Sequence, residues 1–262
     1  MRKLGINIQQ LKDMPIERYV QIVSELGFQV TFTGMREEKQ QEEFANLFAK
    51  YGLEYETIHA PFGHINDIWY ESEAGTKMLA ELLTCVDRCV LANVPAMVVH
   101  LSSGINPPAT TDIGRMRFEQ LVEYAKRKNV KIAFENNRTI TNLAWALETF
   151  SEADGVGFCW DCGHESCYTP GIEFMPLFAN RLLCTHIHDN QGVYDQDLHM
   201  IPFDGVINYE RFAEHIRKSE YKGSLTLELC VPFSNYYDNT PPEAYLEKAA
   251  IAAKRLASMV DE

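Results

Sequence analysis

Apolar and polar positions follow two periods along the chain, and the switch between them recurs. Short β-branched or aromatic runs end near Ile8, Thr33, His59, His100, Glu135, Asp161, His188 and Glu228. Each run gives way to a longer stretch that reads as loop and helix. Successive ends lie 25 to 41 residues apart, the length of a strand plus its helix, so the pattern predicts a βα array and not a sandwich of hairpins. The helical stretches carry an apolar stripe: Ile16, Tyr19, Val20 and Val23 in the first, Leu79, Leu82, Leu83, Val86 and Val90 in the third, and Leu246, Ala249, Ala250 and Ala253 in the last. A stripe of this kind needs a sheet to cover it.

The two kinds of joint differ. Helices pass into strands through a residue that tolerates positive φ, as in Leu26-Gly27-Phe28, Tyr51-Gly52-Leu53, Lys128-Asn129-Val130 and Lys222-Gly223-Ser224, and these joints are short. Strands pass into helices through longer segments that hold most of the polar residues, such as His59-Ala60-Pro61-Phe62-Gly63-His64, Glu135-Asn136-Asn137-Arg138 and Asp161-Cys162-Gly163-His164. In a closed parallel barrel those segments ring one mouth, the face on which barrel enzymes keep their active sites. An open doubly wound sheet would want a glycine-rich phosphate loop after its first strand, and Asn7-Ile8-Gln9-Gln10-Leu11 is not one. The expected fold is α/β, a (β/α)8 barrel that fills residues 1–262 as a single domain.

Composition narrows the class. With 262 residues, 46% apolar and 23% charged, the chain is neither disordered nor fibrous. No segment approaches the roughly 20 apolar residues of a membrane span, and the first apolar run is too short for a signal peptide, so no membrane partner and a cytoplasmic location are expected. Seven cysteines, an odd number, fit reduced thiols; Cys159 and Cys162 have zinc-ligand spacing but no second pair to match, which leaves buried thiols as the simpler account. The formal charge of −13 disfavours nucleic acid as a partner. The basic stretch Lys126-Arg127-Lys128, with Lys131 beyond it, closes a helix whose dipole it complements.

Charge also picks out candidate chemistry. Three strands end in an acid, at Glu135, Asp161 and Glu228, and a fourth ends His186-Ile187-His188. Three carboxylates converging on one opening repel each other unless a cation lies between them. Mixed carboxylate and imidazole ligation suits Mn²⁺, Zn²⁺ or Co²⁺, with Fe²⁺, Ni²⁺ and Mg²⁺ also admissible, and no organic cofactor is expected. His59, His100, His164, Asp197 and His199 fall at the same face and are assigned to substrate contact or a second metal shell. His186 is as compatible with a satisfied barrel-interior histidine as with a functional one, while His64 and His215 have no such support, and His215 reads as an ordinary helix residue.

At these residues the chain resembles the xylose-isomerase-like barrel superfamily, which joins sugar and sugar-phosphate isomerases and epimerases to apurinic endonucleases of the endonuclease IV type. Similarity to the ketose 3-epimerase branch implies that Glu135, Asp161, His188 and Glu228 ligate one catalytic metal and that His164, in Asp-x-x-His spacing, touches substrate. That branch carries an arginine six residues after the metal-binding histidine; here Tyr194 stands there. The three-zinc pattern of the endonuclease branch can also be laid onto His59, His100, Glu135, Asp161, His164, His188, Asp197, His199 and Glu228. Barrels of this kind often pair, so a homo-oligomer fits the resemblance.

The expected activity is a metal-dependent isomerisation or epimerisation of a sugar, sugar phosphate or related hydroxy-carbonyl compound. The route is proton transfer through a metal-stabilised enediolate, with Glu135 and Glu228 as the acid–base pair. The alternative is a multi-zinc phosphodiesterase of the apurinic endonuclease type. A barrel that binds a metal or sugar without turnover ranks third, because two acids facing across one ion have little purpose in simple binding.

Overall fold

The computed structural model describes residues 2–233 and 235–262; Met1 and Ser234 lie outside the described residues. Its eight strands are β1 (Leu4–Asn7), β2 (Val30–Gly34), β3 (Glu54–His59), β4 (Ala96–His100), β5 (Lys131–Glu135), β6 (Val156–Asp161), β7 (Leu182–His186) and β8 (Leu225–Leu227). They form one sheet in the order β7-β6-β5-β4-β3-β2-β1-β8. The paired registers, such as Ile6 with Thr31 and with Leu227, are parallel. The two ends of that order meet in a parallel bridge between Ile187 and Leu227. There the Ile187 amide donates to the Thr226 carbonyl at 2.9 Å and the Glu228 amide to the Ile187 carbonyl at 3.0 Å. The fold is a (β/α)8 barrel.

Helices α1 (Ile16–Glu25), α2 (Glu38–Lys50), α3 (Glu73–Leu91), α4 (Asp112–Arg127), α5 (Ile140–Thr149), α6 (Cys162–Tyr168), α7 (Met175–Phe178), α8 (Tyr209–Lys218) and α9 (Pro242–Asp261) alternate with the strands. Four strand ends, His59, His100, Glu135 and Asp161, fall where the pattern predicts. β7 and β8 stop short of His188 and Glu228, because beyond His186 the chain keeps a single parallel bridge and then folds back into an antiparallel one between Asp189 and Met200. One stripe residue is corrected: Val90 is 47% exposed. The buried face of α3 runs instead through Met78, Leu79, Leu82, Cys85, Val86 and Cys89.

The chain packs as two compact units: Met1–Thr33, Asn46–Tyr55 and Trp160–Glu262 form the first, Gly34–Ala45 and Glu56–Cys159 the second. In the first, α8 buries Tyr209, Phe212, Ala213 and Ile216, and the Phe212 ring stacks on Trp160 at 4.6 Å. The long α9 buries an alanine-rich face that lets it lie close to its neighbours. In the second, Ser72 caps α3 and Thr111 caps α4 by accepting the amides of Gly75 and Gly114, which satisfies donors that each helix start leaves open. Gly114 is small for a reason: a Cβ there would lie 2.1 Å from the Trp69 ring. Trp69 is fully buried, and truncating such a residue costs about 3–5 kcal/mol. The buried Arg117 guanidinium fastens the same region by donating to the carbonyls of Ile68 and Tyr70 at 2.9 and 2.7 Å.

Among the described residues no cysteine is joined in a disulfide, and six of the seven are buried. Among the described residues, no helix is long and apolar enough to cross a membrane, and no group of potential metal ligands includes a cysteine.

Candidate functional site

In the first unit the site grows out of the ends of β6, β7 and β8. Asp161 closes β6 and is also the N-cap of α6: its Oδ1 accepts the His164 amide at 2.6 Å. One carboxylate therefore starts a helix and faces the site, and that helix carries His164 and Tyr168 beside it. His188 Nε2 lies 3.1 Å from both Asp161 oxygens. Its ring is fully buried and stacks on His199 at 4.0 Å, and Tyr209 donates its hydroxyl to the His188 carbonyl at 3.1 Å.

The segment after β7 is folded by Asp189, whose buried carboxylate accepts the amides of Asn190, Phe203 and Ile207 at 2.9, 3.0 and 3.1 Å. Burial, its largest influence, nevertheless leaves the Asp189 carboxyl above the ordinary range. Around this hub the chain adopts left-handed backbone at Asp195, His199 and Phe203, with φ of 63°, 44° and 74°. Such conformations cost about 1–3 kcal/mol each in a non-glycine residue and persist where the surroundings enforce them. The result is to turn Asp197 and His199 back toward Asp161.

Asp197 Oδ2 then gathers three partners: His164 Nε2 and His199 Nε2, each at 3.1 Å, and the Tyr168 hydroxyl, which donates at 3.0 Å. Burial pushes the Asp197 carboxyl up, but the charges of His199, His164 and His188 outweigh it and hold the group well below the usual carboxylate range. Burial acts against a proton on His199, yet Asp197 beside it, with Glu228 and Asp161 beyond, raises its pKa to about 9. Glu228 follows β8; its Oε2 is 3.3 Å from His186 Nδ1, and the His186 ring lies on Phe32 at 4.6 Å.

The second unit holds its own constellation. His59 Nε2 and His100 Nε2 both approach Glu135 Oε2 at 3.2 Å, and Glu135 is 1% exposed. The Phe62 ring covers His100 at a centroid distance of 4.4 Å.

These residues suit a divalent cation. The donor atoms of His164, His188, Asp197 and His199 lie within 4.8 Å of one another, as do those of Asp161, His186 and Glu228. His199 Nδ1 is 2.9 Å from the Glu228 carbonyl and His59 Nδ1 is 2.8 Å from the Ala60 carbonyl. A carbonyl accepts only, so each Nδ1 carries a proton. Each Nε2 then meets its carboxylate either with a second proton or with a lone pair directed at a cation, the second being the usual posture of a metal-ligating histidine.

The structure thus brings Asp161, His164, His188, Asp197, His199 and Glu228 together in the first unit, and His59, His100 and Glu135 together in the second. His64, with a side chain 86% exposed, and His215, on α8 near Glu173, stand apart. His186 sits against Glu228. Sequence reasoning missed Tyr168, Asp189 and Gly163. Tyr168 lies four residues after His164, one helical turn, which was the available signal. Gly163 leaves space that no spacing rule reveals: a Cβ there would lie 1.9 Å from His188 Cε1.

Comparisons with known proteins agree with this architecture. A protein of Sinorhizobium fredii, y4fM, itself uncharacterized, is 26% identical over 246 residues, covering 82% of this chain and 77% of its own. Among solved structures, a D-tagatose 3-epimerase-like protein superposes with a TM-score of 0.76 at 19% identity, covering 99% of this chain and 98% of that one. A D-psicose 3-epimerase solved with D-fructose superposes with a TM-score of 0.79 at 12% identity, covering 99% and 100%. At these identities the structures speak to the fold. The family described as xylose isomerase-like TIM barrel matches residues 19–255, nearly the whole chain, and the protein belongs to that family.

Proposed function

We propose that the chain is a divalent-metal-dependent isomerase or epimerase of a sugar-like hydroxy-carbonyl compound, working in the cytoplasm. Glu135, Asp161, His188 and Glu228 would hold one ion, with Mn²⁺, Zn²⁺ or Co²⁺ the best match to the donors. The observation that carries the reading is the His188 imidazole nitrogen set 3.1 Å from both carboxylate oxygens of Asp161, with a Glu228 oxygen within 4.8 Å of the same aspartate. The likeness to a D-tagatose 3-epimerase-like protein and a D-psicose 3-epimerase supports the reaction class. When bound, the ion supplies charge stabilisation for the anion that develops as the proton next to the carbonyl leaves.

The residues do the rest. Glu135 and Glu228 come from different strands, so one takes the proton and the other returns it. Asp161 and His188 serve as ligands, and His164 and Asp197 orient hydroxyl groups. Glu135→Gln and Glu228→Gln are each expected to lower turnover by about 10²- to 10⁴-fold while sugar still binds. Full activity in either variant removes that residue from the role. Solvent deuterium in the product separates proton transfer from a hydride shift, which incorporates none.

One observation favours a second reading, a multi-zinc phosphodiesterase: His164, His188, Asp197 and His199 form a ligand group of their own. Three tightly held zinc ions per chain together with cleavage of abasic DNA would replace the first reading by this one.

A further inference from the structure

We infer that the first unit carries a second ligand site, behind α6, and that it takes a small organic cation of the alkylammonium class; this goes beyond the isomerase reading and does not rest on it. Strand alternation sets the site apart. Trp160 and Asp161 are neighbours on β6 and face opposite ways: Asp161 meets His188, while Trp160 stacks on Phe212 of α8. On the Trp160 side, a cavity of about 480 Å³ lies between α6, the segments that follow β6 and β7, and α8. That volume is within the range of small-molecule pockets. Glu165, Glu173, Asn208, Arg211 and His215 supply its polar wall, and none of the histidines and carboxylates gathered around Asp161 lines it.

The charges on that wall are unevenly matched. The Arg211 guanidinium is paired with Glu173, and His215 Nε2 lies 3.5 Å from the same carboxylate, so a proton on His215 would also be spent on Glu173. Glu165 is different. Its Oε2 accepts the Trp160 indole and the Phe174 amide, each at 3.0 Å, and among the described residues no Lys, Arg or His forms an ion pair with it. A largely buried carboxylate without a counter-ion is costly. An ammonium group entering the cavity would supply the missing charge and donate to the oxygen that the indole and the amide leave open. Pro170 and the exposed Val206 give its alkyl chain an apolar rim. The cavity also touches the neighbouring site's supports: Gly192, Val206 and Ile207 line it and belong to the segment that Asp189 folds and that carries Asp197 and His199. A cation held by Glu165 would therefore tie α6 to that segment and steady both.

The test is calorimetric. Protein of measured metal content is titrated at pH 8 with butylammonium, 1-butanol and butyrate, three ligands of one chain length and different charge. Butylammonium is expected to bind at least about 10-fold more tightly than the other two. Glu165→Gln, which keeps an acceptor for Trp160 and Phe174, is expected to weaken it by about 10- to 100-fold, the weight of a hydrogen bond to a charged group. Arg211→Gln frees Glu173 of its cation and is expected to strengthen it. Amide hydrogen exchange across residues 163–174 and 190–207 is expected to slow when butylammonium binds the parent and to stay unchanged in Glu165→Gln. Equal binding of 1-butanol, preference for butyrate, or no binding of butylammonium overturns the inference. So does undiminished binding in Glu165→Gln, which would place the amine among the carboxylates around Asp161. None of these readouts involves turnover, so the result stands apart from that of the isomerase assays.

Discussion

Gly163 offers the sharpest test of how the site is held. Within a helix, replacing glycine by alanine ordinarily stabilises by about 0.5–1 kcal/mol, because the more flexible residue loses more conformational freedom on folding. At this position the sign is expected to reverse. A Cβ on residue 163 would lie 1.9, 2.3 and 2.4 Å from Cε1, Nδ1 and Nε2 of His188, far inside contact distance. The imidazole has nowhere easy to go: it is fully buried, stacked on His199 at 4.0 Å and held at its backbone by Tyr209. Overpacking of this kind costs about 1–3 kcal/mol, so Gly163→Ala is expected to be destabilised by roughly 1–2 kcal/mol after the helix gain is subtracted. In a domain of this size that lowers Tm by about 2–8 °C. If His188 is a ligand as proposed, displacing it is expected to lower metal affinity by about 10–100-fold, the range seen when the groups that orient a ligand are lost. Thermal unfolding of metal-free protein reads the first quantity and calorimetric metal titration the second. A variant at least as stable as the parent that binds metal equally well would refute the reasoning.

Two further outcomes follow from buried carboxylates. Burial pushes the Glu165 carboxyl up to about 7, although the Phe174 amide and the Trp160 indole donate to it. The folded state therefore holds this proton more tightly than the unfolded chain, and stability falls as pH rises from about 4.5 to about 7 and then levels. Glu165→Gln keeps an acceptor for both donors and removes the charge, so it should raise Tm at pH 8 by the equivalent of up to about 3 kcal/mol and change little at pH 4.5; equal melting curves at pH 8 would contradict this. Asp189→Ala strips the amides of Asn190, Phe203 and Ile207 of their acceptor, at about 1–3 kcal/mol for an amide left buried and unpaired. Faster amide hydrogen exchange across residues 190–207, compared with α9 as an internal reference, checks that loss, and unchanged protection there would show that the segment is held by other means.

The legibility of the chain divides along physical lines. A barrel strand buried on both faces reads as an apolar run and its covering helix as a stripe, and both periods are local, so the βα units and the polar strand ends His59, His100, Glu135 and Asp161 could be read without coordinates. A carboxylate at such an end is costly alone, which is why Asp161 and Glu228 announced themselves. Other features depended on chain segments distant in sequence. Val90 sits on an apolar stripe yet faces water, because neighbours and not periodicity decide which edge of a stripe is covered. His188 and Glu228 lie just past their strands because the bridge at Ile187 and the fold-back at Met200 end the ladder there. The sequence by itself therefore determined the barrel class and most of the chemistry-bearing residues, through periodicity and the cost of unpaired charge. Tertiary structure alone decided that Asp189 bends a loop to bring Asp197 and His199 to Asp161, that Tyr168 joins them, and that Gly163 leaves room for the His188 ring, because packing and hydrogen bonds across dozens of residues have no period for a sequence to display.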